Sequence, residues 1–184
     1  MQAEKLIQAQ LEQTRLIINQ VEKLKTLDMP TLNWKENETS WSILECLEHL
    51  NLYGEFYLSK MEERIKKSTS QPESEFKSGW LGNYFAESML PKEKLNKMKT
   101  FQDKNPLNAN LSRAVIDTFL EQQIKLLEIL NASRNVSLNK VKIPTSISRF
   151  ITIKLGDTLQ FYINHILRHL KQIESIQTAM KLAA

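Results

Sequence analysis

One stripe of residues constrains this chain more than any other feature. Leu155, Leu159, Tyr162, Ile166, His169, Ile173, Ile176 and Met180 recur in alternating steps of four and three. That is the seam of a long helix packed against near-parallel neighbours. Three further segments carry helical periodicity. The first, from about Ala3 to Leu27, has Leu6, Ile7, Leu11, Ile17, Ile18, Val21 and Leu24 as its apolar face, and Asp28, Met29 and Pro30 are expected to stop it. The second begins near Trp41, where Ser42 and Glu45 spell a capping box ahead of Leu47 and Leu50, and continues to about Lys67. The third, roughly Leu111 to Ser133, is patterned by Val115, Ile116, Phe119, Ile124, Leu127 and Leu130. The last opens at Gly156 and Asp157 and runs to about Lys181, with Asp157 capping it or complementing its dipole.

Four such segments predict an all-α fold, a four-helix bundle with long connections after the second and third helices. At 184 residues the chain suits a single domain, 1–184. Its four glycines and five prolines are too few for the many turns of an all-β protein. The stretch 68–106 holds two glycines and three prolines yet is too aromatic for a disordered linker, so it reads as an ordered excursion with a short helical turn. "TLNWKENETS" and "RNVSLNKVKIPTSISRFITIK" read as connections.

The net charge of +4 is spread among acidic residues on nearly every segment, which argues against a nucleic-acid partner. No apolar run approaches the length of a membrane span and no signal core precedes the first helix, so the expectation is a cytoplasmic protein with no membrane contact. Cys46 is alone, which rules out an intrachain disulfide and leaves it as a small buried hydrophobe. There is no glycine-rich phosphate loop, Ser/His/Asp triad signature or Cys-x-x-Cys pair.

Two of the chain's three histidines stand four residues apart in "HILRH". On a helix, His165 and His169 would share a face, about 6 Å apart, within reach of one ion. Such a pair taken alone is more often a satisfied core or surface pair than a ligand pair. A third imidazole from a facing helix would complete the three protein ligands of a catalytic-type site, and His49, in "WSILECLEHLNLYGEFY", is in a position to supply it if the second and fourth helices are neighbours.

"WSILECLEHL", followed about a hundred residues later by "LGDTLQFYINHILRHLKQI", resembles the DinB-like superfamily, which includes bacillithiol-transferase-like and mycothiol-dependent enzymes. "GWLGNYFAESMLPKEKLNKMKTFQDKNP" between them is also similar to one branch, so the likeness covers nearly the whole chain. The resemblance implies a DinB-type bundle with a divalent ion, nickel or zinc, held by His49, His165 and His169. It also implies a small-molecule substrate, a homodimer, and a low-molecular-weight thiol as co-reactant. Many relatives carry a histidine pair where this chain has Arg168 and His169, so Arg168 occupies a non-ligand position, either beside the pocket or in solvent.

Around this trio each further residue has a functional and a structural reading. Glu45, one turn before His49, either orients the imidazole or acts as a base, or simply closes the capping box with Ser42. Gln172 is a hydrogen-bond partner of His169 or an exposed glutamine. Tyr53 and Tyr162 either line a pocket or fill the core. Trp34 and Trp41 cover the start of the second helix, Trp80 and Tyr84 form a lid or anchor their loop, and Gly54 admits a neighbouring helix. Two functions fit: a metal-dependent enzyme transferring a thiol to an electrophile or hydrolysing a substrate, and a non-catalytic metal- or small-molecule-binding stress-response protein.

Overall fold

The computed structural model describes residues 1–91 and 100–183, and these are mostly helical. Helix α1 spans Ala3–Glu22 and buries Leu6, Ile7, Leu11, Ile17 and Val21 on one face. It relaxes into a 3₁₀ turn at Lys23–Thr26. The first helical run ends by Leu27, as expected, and Met29 and Pro30 then begin a short further helix, α2, Met29–Asn33. The Asp28 carboxylate accepts the Thr31 N–H at 2.9 Å, and a proline in the first turn gives up only an N–H that has no partner there anyway.

Helix α3, Ile43–Lys66, starts at the predicted capping box. The Glu45 N–H donates to Ser42 Oγ at 3.2 Å, and the Ser42 N–H donates to Glu45 Oε2 at 2.8 Å. In the excursion beyond α3, the helical turn is a nine-residue helix, α4, Trp80–Ser88, and a 3₁₀ turn covers Gln102–Lys104. The part of that excursion from 92 to 99 lies outside the described residues. Helix α5 runs over Ala114–Ala132, starting three residues later than its apolar pattern suggested.

The connection to the last helix is not all loop. Strands β1, Lys142–Pro144, and β2, Thr152–Lys154, pair antiparallel with Ile143 opposite Ile153, and both isoleucines are buried. Three residues per strand give too short an alternation to register as a period, so the mostly helical reading stands with this small hairpin added to it. Helix α6, Leu155–Ala183, continues directly from β2.

Helices α1 and α3 each pack against both α5 and α6, and α4 lies on α6. Helix α4 is seated by Asp157, which has a second role besides its expected place at the start of the last helix. Asp157 sits in the first turn of α6, but its buried carboxylate is used on another helix, accepting the Ser78 hydroxyl and, at 3.0 Å, the Gly79 N–H at the start of α4. A Cβ on Gly82 would stand 2.3–2.5 Å from Asp157, so only glycine lets α4 come this close. No helix among the described residues is long and apolar enough to cross a membrane.

Candidate metal centre

Because α3 packs on α6, the three histidines meet between them. His165 Nε2 lies 3.2 Å from His49 Nε2 and 3.1 Å from His169 Nε2. All three potential ligand atoms lie within 4.8 Å of one another, and the residues are 3, 4 and 8 % exposed for His49, His165 and His169.

The outer nitrogens determine what faces the centre. His49 Nδ1 is 2.7 Å from the backbone carbonyl of Lys104, which can only accept, so Nδ1 carries the proton and Nε2 is a bare lone pair. His169 Nδ1 likewise donates to Gln172 Oε1 at 3.0 Å, leaving its Nε2 bare. His165 Nε2 can donate its proton toward one of these lone pairs, but then the other is left over; if the proton is on Nδ1, three lone pairs converge. His165 Nδ1 has no hydrogen-bond partner among the described residues. Protonation is no escape, because burial pushes the His49 pKa down to about 4 and that of His169 down to about 3, and holds His165 well below the ordinary histidine range. The mutual proximity of the rings and the nearby Arg168 charge add to the effect on His165.

A divalent ion satisfies this arrangement. With metal–nitrogen bonds of roughly 2.0–2.1 Å, adjacent donor nitrogens stand roughly 3.0–3.4 Å apart. The two measured separations, 3.1 and 3.2 Å, fall in that range. The widest separation, at most 4.8 Å, needs to close by less than an ångström to fit within the roughly 4.2 Å that two such bonds can span.

Aromatic rings wall the cluster. Tyr53 stands 4.9 Å from His49 and 4.6 Å from His165, centroid to centroid. Trp41 stacks 5.8 Å from His169 and lies 4.8 Å from His49, while Phe161 stacks 6.0 Å from His165. Phe161 is one turn before His165, so helical projection alone could have found it; Lys104 is 55 residues from His49, and no local signal points to it. Trp41 does more than cover a helix start.

The remaining candidates separate. Arg168 is buried beside the cluster rather than in solvent, and burial lowers its pKa. Tyr162 is fully buried against Tyr57, with its hydroxyl directed toward Gly54 and Gln122 rather than the histidines. Glu45 closes the capping box and also accepts from Lys35 Nζ at 2.6 Å and from the Asn108 N–H. Trp80 is 84 % exposed and Tyr84 is exposed as well; the ring that Tyr84 meets is Phe85. Trp34 is partly buried just after α2. Cys46 is fully buried, and burial raises its thiol pKa far above the range of a reactive cysteine.

A family model described as the DinB superfamily matches residues 10–173, which include all three histidines. Comparison with curated proteins and comparison with solved structures each return no match.

Proposed function

The chain belongs to the DinB superfamily, and from that premise we propose that it is a metal-dependent enzyme in which His49, His165 and His169 hold one divalent ion, nickel or zinc, at the base of a pocket for a small electrophilic substrate. The observation that carries this reading is the meeting of imidazole lone pairs for which the chain supplies too few protons. The pairing of α1 and α3 with α5 and α6 supports a four-helix bundle of the DinB kind as the scaffold, within one domain over 1–184.

A bound ion supplies Lewis acidity, which brings a neighbouring thiol or water toward deprotonation at neutral pH. The chain's own residues do the rest. Lys104 and Gln172 fix the tautomers of His49 and His169, so that Nε2 and not Nδ1 faces the centre. Trp41, Tyr53 and Phe161 exclude water and offer flat apolar faces to the organic part of a substrate. Three protein ligands leave room for a further one, which suits transfer of a low-molecular-weight thiol to an electrophile; hydrolysis would use the same centre. Glu45 belongs to this site as a support, since both of its oxygens are engaged by other groups.

The test is consumption of small thiols in the presence of an activated aryl halide, by protein reconstituted with nickel or zinc. Turnover by wild type that is lost in His165→Ala supports thiol transfer. Stoichiometric metal without turnover of any thiol or ester substrate favours a second reading, a protein that holds an ion or small molecule unchanged; the deep burial of all three histidines is what speaks for it.

A further inference from the structure

The histidines are nearly inaccessible, and besides the aromatic rings around them one segment reaches the trio through the Lys104 carbonyl on His49. Phe101–Asn108 crosses the N-terminal end of α3 with little apolar anchorage: in 101–110 only Pro106 is buried. Polar bonds hold it instead. The Lys104 carbonyl takes the His49 Nδ1–H, and Asn105 Oδ1 accepts from Trp41 Nε1 at 3.2 Å. The Asn108 N–H donates to Glu45 Oε1, the oxygen that also receives the Lys35 ammonium, and Lys35 Nζ reaches Asn108 Oδ1 at 2.9 Å. Asn108 itself sits at φ 62°, a left-handed conformation that asparagine tolerates and that turns its N–H onto the carboxylate. Glu45, 2 % exposed, is the fixed end of this network because its other oxygen is tied to the helix cap.

A segment with few buried apolar contacts and many exposed polar bonds belongs to the part of a protein that opens most readily. We propose that Glu45 is a positioning residue for the metal centre: it latches Asn108 and Lys35, and thereby holds Phe101–Asn108 shut over the trio with Lys104 seated on His49. Opening of this latch is the step by which an ion or substrate reaches the histidines. The inference rests on the metal-centre reading, but the latch can be observed without metal.

Glu45→Gln separates latch from fold. Glutamine serves in a capping box, yet it has one acceptor oxygen where the carboxylate has two, and no charge for Lys35. The protein is loaded with zinc and its release to excess EDTA is timed, while exchange of the Asn108 amide is followed by NMR in metal-free protein. Glu45→Gln should release zinc about tenfold faster or more, as expected for loss of a bond to a charged group, and should expose the Asn108 amide. Ser42→Ala, which removes a cap bond and leaves the latch, should lower the melting temperature and release zinc near the wild-type rate. Asn105→Ala should accelerate release without touching the cap. Wild-type release rates and undiminished Asn108 protection in Glu45→Gln would overturn the latch. If wild type takes up no zinc, the metal reading falls, and the Asn108 amide alone decides whether the latch exists.

Discussion

His169 donates its Nδ1–H to the side-chain oxygen of Gln172, 3.0 Å away and three residues on along α6, and this bond turns the opposite nitrogen toward His165. Outer partners of this kind fix ring orientation and ligand basicity. Gln172→Ala should weaken metal affinity by about 10–100-fold with the fold intact, and Gln172→Glu should restore most of it. Titration with zinc against a competing chelator reads this; equal affinity in all three proteins would show that the bond does not orient the ligand.

The buried imidazoles also set a pH dependence. His49 and His169 have folded pKa values lowered to about 4 and about 3, against about 6.5 in the unfolded chain. Below about pH 6.5 the unfolded chain therefore binds protons that the folded chain refuses. Stability of the metal-free protein is present in full above that pH and is lost as pH falls toward 4, by on the order of 1 kcal/mol per unit for each imidazole. Glu62, held down to about 2 by Lys125 and Lys66, acts only below its unfolded value near 4.5, so the window from 6.5 to 5 isolates the histidines. Urea midpoints at pH 7.5, 6 and 5 should fall in wild type and fall less steeply in His49→Gln, which keeps the other two buried imidazoles; a flat wild-type profile contradicts the burial argument.

Gly54 is a packing requirement. A Cβ there would sit 1.8 Å from Gln122 Oε1 and 2.9 Å from the Tyr162 hydroxyl. Gln122 reaches across from α5 to donate to the Asn51 carbonyl at 3.1 Å. Gly54→Ala should destabilise by about 1–3 kcal/mol despite alanine's better helix propensity. Adding Gln122→Ala should recover part of the loss, because the two positions contact each other. Chemical denaturation of both variants decides, and a stabilised Gly54→Ala refutes the clash.

Asp157 joins the start of α6 to the start of α4. Asp157→Ala leaves the Gly79 N–H and the Ser78 hydroxyl without their acceptor, at about 1–3 kcal/mol. The prediction is α4 released as a unit, with proteolytic cleavage near Ser78 accelerated well before global unfolding. Unchanged cleavage would mean that α4 is held by its apolar contacts alone.

Long elements were legible in the sequence and short ones were not. The seam from Leu155 to Met180 places α6, and the Ser42/Glu45 box places the start of α3, because periodicity and capping are local signals. Strands β1 and β2 are too short to show a period, and Pro30 reads as a stop until Asp28 is seen to cap α2. His165, His169 and Gln172 were visible as spacing along one helix, whereas His49 on another helix was joined to them only through the family resemblance. Lys104 and Asn108 were not, since a backbone carbonyl and amide brought in from 55 and 63 residues away carry no mark in their own side chains. Asp157 shows the same limit: its position was legible, its partner on another helix was not.

The central claim is that His49, His165 and His169 hold one ion together. Its most direct test is elemental mass spectrometry of protein purified without a histidine tag and offered nickel and zinc, in wild type and in His49→Ala, His165→Ala and His169→Ala. The account predicts close to one ion per wild-type chain and loss of it in each folded variant. Folded wild type that retains no ion, or any variant that keeps the full complement, would contradict it.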